Sequence, residues 1–152
     1  MAIGTLEARG KILDDLAAAI DQIALAVACL GEAFELLSVS SADRLEAELF
    51  RPVQKAYARG QQAHSRFAER STGATRAFEL PSAGRPSQGA KAFINRAVEA
   101  SGHADHMIAE LQDSMLPIEF GDPELRSGLS EARALLEGVP LSARSFLRTL
   151  GR

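Results

Sequence analysis

Glu99, His103, His106 and Glu110 are the residues whose types and spacing come nearest to chemistry in this chain. Two imidazoles three apart on a helix, each with a carboxylate four residues outside it, offer the N and O donors that Zn²⁺ or a similar divalent ion takes. At about 100° of turn per residue, all four fall within an arc of roughly 60° and share one face. The apolar seam of the same helix lies roughly 150° away, so the cluster points to solvent unless a second subunit or a loop covers it. On that side, the Glu99–His103 and His106–Glu110 pairs act as i,i+4 contacts worth a few tenths of a kcal/mol. A di-iron bundle needs inward glutamates and Glu-x-x-His on two helices, and Glu-x-x-His does not occur here. No cofactor is therefore expected, with a zinc-like ion on this face as the alternative.

The third histidine, His64, falls near an apolar seam beside Gly60 and Phe67. It reads as a packing histidine, or, with Tyr57 and Gly60, as the wall of a ligand cavity beneath the small residues Ala56, Gly60 and Ala63. No Ser or Cys is spaced to partner it, so nucleophilic catalysis has no support. In "GRPSQGAK" (84–91) the separation of Gly84 and Gly89 suits a phosphate-binding loop. Lys91 comes one position late, however, with neither Ser nor Thr after it, and no strand precedes the loop. Glu32-x-x-Glu35 and Glu110-x-x-Asp113 have the Mg²⁺-binding spacing of all-α nucleotide pyrophosphatases, but both pairs project away from their own seams and lie far apart in sequence. No motif in the chain points to a reaction, and a non-enzymatic role is expected.

Charge supplies one more candidate surface. Arg51, Lys55, Arg59, Arg66 and Arg70 lie within roughly 100° of arc on one helix. Residues 51–76 hold six basic residues and one acid, a local +5, whereas residues 6–38 hold six acids and two bases, a local −4. The basic stripe fits an acidic protein or an anion; nucleic acid is disfavoured because no aromatic interleaves it. The overall charge of −3 gives no general attraction to nucleic acid or acidic membranes.

These residues must be positioned by helices. The 152-residue chain has 46% hydrophobic residues, no Trp and few aromatics, a helical composition of single-domain size. Leu6, Leu13, Leu16, Ile20, Ile23, Val27, Leu30, Phe34 and Leu37 step by three and four after Leu13, a heptad seam with Arg9 as its one break. Thr5 is the expected N-cap, and "SVSS" (38–41) ends this helix. A second helix is expected to open at Asp43, in a capping box with Glu46, to kink at Pro52 and to stop before Gly73. Its seam is Leu49, Val53, Ala56, Gly60, Ala63 and Phe67, small enough in the middle for close approach by another helix. A third, capped by Ser87, carries Ile94, Ala97, Ser101, Ala104, Ile108, Leu111 and Met115. The fourth opens at "GDPEL" (121–125) with an Asp N-cap and Pro at the first helical position. Its seam runs Leu125, Leu129, Ala132, Leu136, Val139, Ala143, Phe146 and Leu150. The phase carries through Gly138 and Pro140, which predicts one kinked helix rather than two.

The expected fold is all-α: an antiparallel four-helix bundle in one domain over 1–152, with helices at about 5–38, 43–71, 88–116 and 123–150 and a long loop at 72–87. Short links make hairpins of the first and last pairs; the long loop can cross over or close the bundle up and down. Asp21, Gln22 and Glu32 interrupt any fully apolar membrane span. "IALAVACLG" (23–31) fails as an export signal because Asp14, Asp15 and Asp21 stand where a basic region and an unbroken apolar run belong. With Cys29 as the only cysteine, a cytoplasmic setting is expected. The function expected is protein–protein association, as a homodimer or with an acidic protein through the stripe; the alternative is a bundle that binds a metal or small ligand.

Overall fold

A computed structural model describes residues 4–150, so the domain limits expected at residues 1 and 152 lie outside the described residues. The chain is all-helical, with no strand among the described residues. The first helix, α1 (Thr5–Leu36), starts at the expected residue, though with Gly4 rather than Thr5 at the N-cap position, and ends two residues short of 38. Its buried side chains exceed one seam. Ile12, Ala19, Ala26 and Ala33 make a second seven-residue file beside Leu13, Ile20 and Val27, as a helix requires to pack on two neighbours at once. α1 lies against both α3 (Arg51–Arg70) and α4 (Ala90–Asp113). Leu6, assigned to the seam by sequence, is 67% exposed, because the neighbours do not cover the first turn.

By length and composition α1 is apolar enough to cross a membrane, with a mean hydropathy of 1.6 over 18 residues despite Asp21 and Gln22. Within this fold 61% of that window is buried against the rest of the protein.

The "SVSS" segment ends one helix and starts the next. Ser38 is the N-cap of α2 (Val39–Leu45), its hydroxyl accepting from the Ser41 amide at 3.4 Å, so Asp43 lies inside the helix and forms no capping box. The helical run continues through a wide π turn at Glu46–Phe50 into α3. Pro52 explains the turn. A proline ring clashes with the carbonyl four residues before it, and one extra residue per turn, with the Arg51 amide donating to Glu46 O, opens the backbone there. α3 stops as expected: Gly73, at φ 75°, donates its amide to Ala68 O at 2.7 Å.

Gly89, at φ 87°, and not Ser87 takes the N-cap position of α4; Ser87 sits in the short 3₁₀ turn Pro86–Gln88. α4 ends at Asp113, where Met115 adopts a left-handed φ of 67°. That turn swings Met115 off the expected seam, to 47% exposed, and leads into α5 (Leu116–Glu119). The last seam is divided. α6 (Pro123–Glu137) and α7 (Val139–Leu150) are separate helices, broken at Gly138. Pro140 supplies no amide to bond back across the junction, which accounts for a break in place of the expected kink. The apolar phase nonetheless persists, with Leu136, Val139, Ala143 and Phe146 all buried.

The small residues of the second seam allow close approach. A Cβ on Gly60 would stand 3.2 Å from Ile20 Cγ1, and one on Gly128 would stand 2.7 Å from Ala63 Cβ. The first contact joins α3 to α1, the second α3 to α6. Around them lie two apolar clusters, one built on Leu30, Leu49, Phe93 and Phe146, the other on Leu16, Ile20, Phe67, Ile108 and Leu125.

Candidate functional site

Each sequence-derived candidate meets a different fate in the folded chain. Glu99, His103, His106 and Glu110 are all exposed on α4, the side on which the helical wheel places them. His106 Nε2 meets Glu110 Oε1 at 3.0 Å, with both side chains about 70% exposed or more open still. Glu99 and His103 edge a shallow depression with Gln22 of α1, while Glu110 borders another with Lys11 and Asp15. No group of three or more His, Cys, Asp or Glu among the described residues stands close enough to hold a metal ion. Glu32 and Glu110 do not meet either: Glu110 neighbours Asp15, and Glu32 lies about 25 Å further along α1 at 1.5 Å per residue.

The basic stripe meets acids of its own chain, and those acids sit on α6 rather than on acidic α1. Arg59 pairs with Glu131, Arg66 with Glu124 at 3.2 Å, and Arg70 with Asp122 at 2.8 Å and Glu124 at 2.9 Å. Arg51 and Lys55 are exposed and form no ion pair among the described residues. Between the stripe and α1 the link is Arg76, whose guanidinium lies 3.0 Å from Asp21.

Asp122 has two tasks, since its carboxylate also caps α6 by accepting from the Leu125 amide at 2.8 Å. Burial alone would raise its pKa, but the hydrogen bonds from Arg70 and Leu125 and the charges of Arg70 and Arg126 outweigh burial and hold it below the ordinary carboxylate value. The unfolded chain therefore binds this proton at a higher pH than the folded one. The resulting stability is fully present above about pH 4 and is lost as pH falls through the lowered folded value. Asp122→Ala is expected to cost about 1 kcal/mol at pH 7, chiefly through the cap, and to flatten the acid limb of a stability–pH curve. Urea unfolding at pH 7 and pH 3 checks this; an unchanged difference between the two would remove Asp122 from the acid response.

Cys29 is buried in α1. Burial pushes its thiol up, and the opposing Arg96 charge does not restore it, so the nucleophilic thiolate is disfavoured.

Of the residues proposed to line a cavity, His64 borders one. Gly60 faces Ile20, which fills the space beneath it, and Ala63 is taken up by Gly128. Tyr57 is half-buried against both apolar clusters, its phenol raised by burial and by the Asp21 carboxylate. The open volume lies on the other side of His64: a cleft of about 560 Å³ between α1, the end of α3 and the 71–89 connection. Leu13, Asp14, Ala17 and Asp21 form one wall and Thr72, Ala74 and Arg76 the other. His64 is 3% exposed, and its Nδ1 has no hydrogen-bond partner. Burial lowers its pKa, with the Leu13 backbone opposing, so the ring is neutral at pH 7. Phe78 packs on His64 edge-on at 5.3 Å, and Arg76 lies 4.5 Å over the Phe78 ring. Sequence placed His64 near the seam, but its far wall comes from a connection with no helical period to orient it. No protein-family model, curated protein or solved structure matches this chain, so its function has to be read from this geometry.

Proposed function

We propose that this protein is a non-enzymatic, self-associating helical bundle of one domain, acting in the cytoplasm. The bundle is of the antiparallel four-helix kind, with the hairpins α1/α2–α3 and α4/α6–α7 joined by the long connection. Support comes from the residue pairs Leu13 with His64, Ile20 with Gly60, Arg59 with Glu131 and Asp105 with Arg133.

The observation that carries self-association is an apolar end. Leu6, Met115 and Ile118 are 67%, 47% and 56% exposed. They come from elements that converge: α1 lies against α5, and Arg9 donates to Phe120 O at 3.2 Å. Exposed apolar groups of this kind are the usual core of a contact surface, where their burial is favourable at about 25 cal/mol per Å². A second copy would present the same apolar end, as a two-fold interface requires. An acidic protein is the second partner class, and Arg51 and Lys55 are the stripe cations left to receive it.

Sedimentation over a concentration series tests the main reading. The native chain is expected to run as a dimer and Ile118→Glu with Met115→Glu as a monomer. A native chain that stays monomeric would end the proposal, as would a dimer that both substitutions leave intact.

A further inference from the structure

The cleft beside His64 has properties that self-association does not use. At about 560 Å³ it falls within the size range of small-molecule sites, and its walls are mainly aliphatic. Its charges are unequal: Asp14 and Asp21 face a single guanidinium, Arg76, which is already committed to Asp21 at 3.0 and 3.1 Å. Asp14 is exposed on the cleft wall and makes no ion pair among the described residues. Among the lining residues is a histidine more than nine-tenths buried whose Nδ1 has no partner. Buried polar nitrogens are almost always paired, so an orphan bordering a cleft points to a group that arrives from outside. A neutral imidazole can present a lone pair there, and a free carboxylate nearby selects a ligand that brings N–H donors and positive charge.

We propose that this cleft binds a small organic cation, a primary amine on a short apolar chain, with its ammonium between Asp14 and His64 Nδ1. The chain of the ligand lies along Leu13, Ala17 and Ala74. The connection that supplies Thr72, Ala74 and Arg76 forms the outer wall, so the ammonium enters beside the Arg76–Asp21 pair, and the imidazole, whose Nδ1 is buried, has to rotate to meet it. Hexanoate matches the apolar chain but brings a carboxylate against Asp14, and 1-hexanol matches it without charge.

Hexylamine is the probe, titrated into the full chain by calorimetry and followed by NMR of the His64 ring and the Ala17 and Ala74 methyls. Binding is expected at one site, about tenfold or more tighter than hexanoate or 1-hexanol. Asp14→Asn is expected to weaken hexylamine by about tenfold. Because substitutions at buried His64 can disturb folding, Ala74→Phe provides an independent check: residue 74 is exposed, and a ring there fills the cleft and blocks the amine. The proposal is overturned if hexylamine does not bind, if hexanoate or 1-hexanol binds equally well, or if either Asp14→Asn or Ala74→Phe leaves amine affinity unchanged.

Discussion

Phe146→Ala is expected to destabilise the protein by about 3–5 kcal/mol, among the largest losses from a single truncation in this chain. The ring is 1% exposed and belongs to the cluster with Leu30, Leu49 and Phe93. α7 is only 12 residues long and buries Val139, Ala143 and Phe146, so one side chain supplies most of its apolar anchorage. The same ring carries the Arg44 guanidinium at 5.3 Å, and Arg44 donates to Thr149 at 3.0 Å, tying α2 to α7 across the top of the core. Losing the ring leaves a cavity and unseats that contact together. For a chain of this length the expected fall in Tm is roughly 6–20 °C. Leu141→Ala, about one and a half turns away and 68% exposed, is the control and is expected to change Tm little. Equal effects of the two substitutions would mean that α7 is not seated on this core.

Gly128→Val is expected to cost about 2–3 kcal/mol even though glycine is the poorer helix former. A Cβ at this position already stands 2.7 Å from Ala63 Cβ and 3.4 Å from the Arg59 guanidinium. Two further methyls must push α6 away from α3, and with it the Glu131 carboxylate that Arg59 holds. The Arg59 side chain can swing aside, but the Ala63 Cβ has no rotamer to yield, so that clash is relieved only by moving whole elements. Coupling gives the sharper measurement. Ala63→Gly combined with Gly128→Ala returns the methyl to the opposite helix, and the pair is expected to lose less than the two single substitutions added together. Strict additivity in urea unfolding would show that the helices do not meet at these two residues.

The candidate sites were legible to different depths. The outward direction of Glu99, His103, His106 and Glu110 follows from the turn of one helix, a property of residues within a few turns of each other. The stripe from Arg51 to Arg70 was equally legible as a stripe. Its partners were not, because charge totals single out acidic α1 while packing sets Asp122, Glu124 and Glu131 of α6 beside it. His64 was legible as a residue near a seam. The cleft it borders was not, because the other wall comes from a connection that carries no period.

Local chemistry in the sequence determined most of where this protein is helical and one apolar seam of each long helix, together with the stop at Gly73 and the start at Asp122–Pro123. These depend on hydrogen bonds and side-chain contacts only a few residues long. The tertiary structure alone decided which helices pair, that Ala63 meets Gly128, and that Ile20 fills the space under Gly60. It also decided the route of the 71–89 connection, which reaches Asp21 through Arg76, His64 through Phe78 and, through the Ala83 carbonyl, Arg96 of α4. A seam states that a helix must be covered without saying by what, and the entropy of closing a long loop differs too little between routes to select one. That choice falls to packing between residues far apart in the chain.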